Sequence, residues 1–211
     1  MEGLQEIYGP EFFREWGPAN RDYVLSAGLV ADAVYRVFRP RSLADLGCGC
    51  GIYSHLFREK GLKVLSIDGV TPPREHSYPV EIVNRDLTLP ISNEWGRFDL
   101  ALCLEVAEHI PEEHSETFLR NLMGFSDRLL ISAAPPGQGG HHHVNEQPRR
   151  YWADRLARLG YAYNRKASGL IMKAVEDCPP PNLWMVCHIG VYDRATDPKQ
   201  LSHGLPFSVR A

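Results

Sequence analysis

The chain has 211 residues, 44% hydrophobic and 23% charged, with a formal net charge of −3. That length supplies one good core and excludes two full-sized domains. The slightly acidic balance gives no electrostatic support for holding a phosphate backbone or an anionic membrane, so no nucleic-acid partner is expected.

The start, MEGLQEIYGPEFFREW, carries acids and lacks the apolar core of a signal segment. No run of about 18 apolar residues occurs anywhere, so no membrane insertion is expected. Five cysteines, an odd number in apolar or glycine-rich surroundings, read as free thiols in a reducing compartment, and a cytoplasmic location is expected. Cys48 and Cys50 with Cys103 give only a C-x-C without a second pair, too little to predict a metal site; none is expected.

Residues 10–38 carry apolar side chains near helical spacing: Phe12, Phe13 and Trp16, then Val24, Leu25, Leu29, Val30, Val34 and Val37, with Pro40 as the stop. Beyond Pro40, short apolar runs alternate with amphipathic ones. The patterns predict strands at SLADLG, KVLSIDG, VEIVNRD, FDLALCLE and DRLLISAAP, and helices at IYSHLFREKG, EEHSETFLRNLMGF and PRRYWADRLARLGY. Such alternation implies βαβ crossovers, a doubly wound, mostly parallel α/β sheet, and ligands outside the carboxyl ends of its strands.

Further on, YAYNRKA reads as a strand, GLIMKAVED as a short helix, Pro179 to Pro181 as a break and LWMVCHIGVYDR as one long strand. So little chain separates that helix from that strand that an antiparallel C-terminal strand is expected rather than another crossover. The expected division is a helical cap over 1–40, a ligand-binding domain over 41–194 and a polar, fraying tail over 195–211.

Asp45, Gly47, Gly49 and Gly51 form D-x-G-x-G-x-G where a strand ends and a helix begins. A tight turn needs one glycine; glycine at every second position lets a ligand lie on the backbone, with no Cβ to hold it away. A dinucleotide fingerprint, G-x-G-x-x-G, would need a small residue where Ile52 stands. No Lys or Arg occurs from Asp45 to His55, which opposes a phosphate ligand.

This loop resembles the first motif of class I S-adenosylmethionine-dependent methyltransferases of the small-molecule type, and the resemblance runs from about residue 40 to 135. It implies a Rossmann-like sheet and S-adenosyl-L-methionine as cofactor. It places Asp68 at a strand end to accept hydrogen bonds from the ribose hydroxyls, Asp86 and the Leu87 N–H at the adenine, and Glu105 of FDLALCLEVAEHIP at the methionine end. Cys48, Tyr53 and Gly69 complete the expected cofactor-binding set, with Asp45 orienting the loop or meeting the ligand's ammonium through water. Tyr8, Phe12 and Trp16 recur every four residues, one stripe on a helix. Core packing is one reading; the other has Tyr8 or Trp16 closing over the sulfonium.

Methyl transfer from a sulfonium is an in-line displacement that chiefly requires alignment. A hydroxyl acceptor benefits from a general base. His109, whose loop borders the donor in the resembling family, is one catalytic candidate, and a packing histidine is the competing reading. His143 is the second, within PPGQGGHHHVNEQPRRYW after the fifth strand, where Gly137, Gly139 and Gly140 read as hinges of a substrate lid. His141, His142 and His143 point in different directions and so do not together hold one metal ion. His143, Asn145 and Gln147 are expected to face a small-molecule or sugar-bearing acceptor. Two other functions remain open: a module that binds S-adenosylmethionine without transferring methyl, and a nucleotide-cofactor oxidoreductase. Acceptor identity and oligomeric state leave no mark in the sequence.

Overall fold

The short apolar runs pair into one seven-stranded sheet. In the computed structural model, which describes residues 3–177 and 187–202, β1 (Ser42–Leu46), β2 (Lys63–Asp68), β3 (Ile82–Asn84), β4 (Leu100–Leu104) and β5 (Arg128–Ser132) run parallel. An edge strand, β6 (Tyr161–Tyr163), is followed by β7 (Gly190–Arg194), inserted antiparallel between β5 and β6 as expected, although residues 175–189 make the connection into β7 longer than the sequence suggested. The order β3-β2-β1-β4-β5-β7-β6 puts the chain reversal between β1 and β4, and the crevice at their carboxyl ends is where such sheets take ligands.

Seven helices occur among the described residues: α1 (Leu4–Ile7), α2 (Pro10–Glu15), α3 (Arg21–Phe38), α4 (Ile52–Glu59), α5 (Ser115–Phe125), α6 (Arg149–Arg158) and α7 (Arg165–Ala174). The twofold period of β4 sorts them. Leu100, Leu102 and Leu104 pack with Val30 and Val34 of α3, Phe57 of α4 and Ile171 of α7. Ala101 and Cys103 point the other way, into α5 and α6 through Phe118, Leu122, Phe125, Trp152 and Leu156. Phe118, Leu122 and Phe125 are fully buried, and each such burial contributes about 1.5–3 kcal/mol. That anchorage fixes α5 and hence the loop before it, which carries Glu105, Glu108 and His109.

Several boundaries differ from the sequence expectation. The helix expected over 10–38 is broken: a Cβ on Gly17 would stand 2.4 Å from the Phe13 carbonyl oxygen and 2.8 Å from that of His76. Asn20 then starts α3 by accepting the Tyr23 N–H at 3.0 Å. The strand expected over YAYNRKA stops at Tyr163, because the Asn164 side chain accepts the Ala167 N–H at 2.9 Å and caps α7. The long strand expected from Leu183 begins only at Gly190; Cys187 and His188 are not extended, and 183–186 lie outside the described residues, as does the Pro179 to Pro181 break. The start of the expected frayed tail is ordered instead, with Gln200 accepting the Thr196 and Asp197 N–H groups at 2.8 and 3.1 Å; residues 203–211 lie outside the described residues.

Candidate active site

The loop after β1 takes its shape from its glycines, but they do different work. Gly47, Gly49 and Gly51 all have positive φ, at 76°, 52° and 80°. A Cβ on Gly47 would meet Val106 Cγ2 at 2.4 Å, and one on Gly51 would meet Val80 Cγ2 at 2.3 Å. Those two glycines serve close packing of neighbouring loops. Gly49 alone of the three faces open space, with nothing within 4 Å of the Cβ position. The ligand-facing surface is therefore narrower than three alternate glycines implied.

Asp68, at the end of β2, reaches across to this loop. Its Oδ2 accepts the Gly49 N–H at 2.7 Å and its Oδ1 the Val70 N–H at 2.9 Å. Burial raises its pKa, and the backbone donors of Gly49, Val70 and Gly69 oppose the rise without cancelling it. Asp45, 2% exposed, accepts from Ser54 Oγ at 2.7 Å, and Ser54 in turn accepts from Ser66 Oγ at 2.7 Å. Burial pushes Asp45 up to about 7 despite the Ser54 bond. The buried chain of hydroxyls ties Asp45 to α4 through Ser54 and to β2 through Ser66.

Asp86 holds its own turn, accepting the Thr88 N–H and Oγ–H at 2.8 and 2.7 Å. Buried Asn121 of α5 pins that turn by donating to the Leu87 and Leu89 carbonyls at 3.0 and 2.9 Å and accepting the Ile91 N–H at 2.9 Å. Tyr53 and Cys48 are buried beneath the loop, Tyr53 among core residues with Cys50 and Leu104. Near them stands Tyr23 of α3, its pKa driven well above normal by burial, with Cys50, Tyr53, Asp45 and Glu105 close enough to add. Sequence reasoning did not single out Tyr23.

The N-terminal segment covers the crevice. Leu4 Cδ1 would lie 2.8 Å from a Cβ on Gly69, and Tyr8 stands near Asp68 and Glu108 while its ring meets His109 edge to face at 5.5 Å. Trp16 meets Tyr23 edge to face at 5.5 Å, while Tyr8 lies beside Asp68, Glu108 and His109.

At the mouth of β4, Glu105 adopts a left-handed φ of 54°, a strained conformation for a residue with a Cβ, and its N–H donates to Ser132 Oγ at 3.1 Å. Burial pushes its carboxyl up to about 7. Glu108 is 0% exposed, and burial followed by the neighbouring Glu105 charge pushes it well above the usual range. The two carboxyls lie within hydrogen-bonding reach of each other, and with both ionised neither Glu108 oxygen, nor Oε1 of Glu105, has a donor. His109 is held near 4, chiefly by burial and then by His143.

The segment expected as a free lid is tied down. Glu146 accepts the Gly137 N–H at 2.7 Å, the Gly139 N–H at 2.6 Å and the His143 Nδ1–H at 2.9 Å. The Val144 and Asn145 N–H groups both donate to the Glu108 carbonyl at 3.0 Å. Asn145 does not face an acceptor: 4% exposed, it donates to the Ile110 carbonyl at 2.9 Å and Ser115 Oγ at 3.2 Å, and accepts from Gln147 at 3.0 Å. The three consecutive histidines do take separate partners. His141 donates to the Ile7 carbonyl at 2.6 Å, the His142 carbonyl accepts from His109 Nδ1 at 3.2 Å, and His143 holds Glu146. His109 and His143, 34 residues apart in sequence, meet edge to face at 4.9 Å.

Residues 44–124 match the family model described as a methyltransferase domain. Over 109 residues the chain is 28% identical to a ubiquinone biosynthesis O-methyltransferase of Escherichia coli, an alignment covering 48% of this chain and 45% of that protein. The chain thus spans about half the length of the curated relatives it matches. Among solved structures it is similar to a Burkholderia thailandensis 1,6-didemethyltoxoflavin-N1-methyltransferase with bound S-adenosylhomocysteine (TM-score 0.59, 19% identity, covering 92% of this chain and 89% of that one). It is also similar to a magnesium protoporphyrin IX methyltransferase of Synechocystis PCC 6803 (TM-score 0.53, 20% identity, covering 77% and 84%). Residues 44–124 thus match a methyltransferase domain, and the sheet around them has the fold of these methyltransferase structures.

Proposed function

We propose that the protein binds S-adenosyl-L-methionine in the crevice between β1 and β4 and transfers its methyl group to a small-molecule or sugar-bearing acceptor. One observation carries this reading: Gly49 faces open space while its amide is fixed by Asp68, so a ligand can lie on the loop beside a carboxylate. Each Asp68 oxygen uses one lone pair on the backbone and keeps another for a ribose hydroxyl. Asp86 and the Leu87 amide then meet the adenine, and Gly69 lies under the ribose. Asp45 and Glu105 serve the methionine end with Gly47, Cys48, Gly51 and Tyr53 shaping its floor. Carboxylates and backbone, without a cation, suit a ligand that has an ammonium and a sulfonium and no phosphate.

Residues 1–40 act as the cap, with Tyr8 closing on the methyl end, and the acceptor enters against His109 and His143. A ring held near 4 is a weak base at neutral pH, so His109 orients the acceptor rather than deprotonating it. The protein's work is alignment, since in-line displacement needs no covalent intermediate. Buried thiols at Cys48, Cys50 and Cys103 suit a reducing compartment such as the cytoplasm. Thermal melting with S-adenosylhomocysteine and with NAD, followed by a metabolite screen for labelled methyl transfer, tests the reading. S-adenosylhomocysteine should raise the melting temperature and NAD should not; the reverse would return the oxidoreductase reading.

A further inference from the structure

We infer that Glu108, His109 and His143 form a binding site for one divalent transition-metal ion, with Glu105 beside them as a further oxygen donor. Each of the three offers a ligating atom within 4.8 Å of the others. Donors around an ion at about 2.0–2.2 Å are about 3–4 Å apart, so small side-chain rotations close the set.

Two independent features support an ion over a chance cluster. The first is Glu108. It is 0% exposed and both its carboxyl oxygens lack a hydrogen-bond partner, as does Oε1 of Glu105. Buried polar oxygens are costly when unpaired, and three at one place call for a cation between them, either a proton or a metal ion. The second is the way the imidazoles are held. His109 Nδ1 donates to the His142 carbonyl at 3.2 Å, and His143 Nδ1 donates to Glu146 Oε1 at 2.9 Å. Each bond fixes the tautomer with a lone pair on Nε2, the arrangement by which carbonyls and carboxylates orient metal-binding histidines. Gly140 leaves the room His143 needs, since a Cβ there would stand 2.4 Å from its Nε2.

The competing filler is a proton shared between Glu105 and Glu108. It would satisfy the carboxyl oxygens without using either Nε2 lone pair, whereas an ion takes Glu108 and both imidazoles at once. Two nitrogen and two oxygen donors suit Mn²⁺, Co²⁺, Ni²⁺ or Zn²⁺ better than Mg²⁺ or Ca²⁺, which favour oxygen alone. What the ion does rests on the methyltransferase reading above; the site itself does not. Beside the methyl donor, a bound ion lowers the pKa of an acceptor hydroxyl. The hydroxyl proton leaves to solvent, the oxygen attacks the methyl carbon and the carbon–sulfur bond breaks, yielding a methyl ether and S-adenosylhomocysteine. The acceptor class is thus a hydroxyl-bearing molecule able to reach an ion with open coordination positions.

The test is titration of Co²⁺ into the chelator-treated full chain, read by visible absorption, with S-adenosylhomocysteine melting shifts recorded on the same samples. The expected result is saturation near one equivalent, with affinity weakened at least about tenfold in Glu108→Gln and in His143→Ala and unchanged in His141→Ala. Two variants are used because loss of a buried carboxyl could disturb folding, and a retained melting shift certifies the fold. No Co²⁺ binding, or equal binding in every variant, overturns the metal site. If that happens while S-adenosylhomocysteine still stabilises the protein, the cofactor reading survives alone. Co²⁺ binding without any S-adenosylhomocysteine shift sustains the site and removes the methyltransferase reading.

Discussion

The Asp68 carboxylate accepts the Gly49 amide proton at 2.7 Å, so the residue that ends β2 also sets the loop that follows β1. Replacing Asp68 by Ala removes that brace and both expected ribose contacts. Charge-assisted bonds contribute about 1.5–3 kcal/mol each, so affinity for S-adenosylhomocysteine should fall at least about tenfold. Calorimetry on Asp68→Ala and Asp68→Asn would show it, and an unchanged affinity in both would remove Asp68 from the site.

Asp45 makes stability depend on pH. Its folded pKa, about 7, lies above the usual carboxylate value of 3.8. A raised folded pKa means that stability is fully present below about 4 and is lost as pH rises through about 7, by up to about 4 kcal/mol. Glu105, also raised to about 7, acts in the same direction. The urea midpoint of Asp45→Asn should therefore fall less between pH 5 and pH 8 than that of the wild type. Parallel curves would show that Asp45 is not the titrating group.

Tyr8 contacts His109, His141 and His142 edge to face, at 5.5, 5.8 and 6.2 Å. Losing such aromatic contacts costs about 0.5–1.5 kcal/mol, so Tyr8→Ala should weaken S-adenosylhomocysteine binding about two- to tenfold. Trp16→Ala should weaken it less than Tyr8→Ala, since the Trp16 ring meets Tyr23 instead of these histidines. The opposite ranking in a calorimetric comparison would put the cover elsewhere.

If His143 faces the acceptor, His143→Ala should leave cofactor affinity within about a factor of two while lowering kcat or raising KM for the acceptor, with a kcat loss of about 10²–10⁴-fold that diminishes as pH rises if the ring is the general base. A variant with wild-type turnover would make the 137–147 segment a plain connection.

The sheet was legible because strands buried on both faces leave apolar runs; its antiparallel insertion was expected from a short last connection, whereas residues 175–189 separate α7 from β7. The cofactor loop was legible because glycine spacing records local backbone shape. Which glycine meets the ligand was not, since Val106 and Val80 approach Gly47 and Gly51 from distant segments. The break before α3 depends on His76 backbone near Gly17, a contact without periodic signature. Glu108 and His109 read as parts of a loop motif. Hydrogen bonds between distant segments, from Val144 and Asn145 to the Glu108 carbonyl and from His109 to the His142 carbonyl, bring His143 beside them.

The most direct test of the central claim is calorimetric titration of S-adenosylhomocysteine into the wild-type chain and Gly49→Val. Gly49 has a φ of 52° and faces open space, so a branched side chain both strains the loop and fills the place the ligand needs. The wild type should bind and the folded variant should not. Equal binding by both proteins, or none by the wild type, would contradict the account.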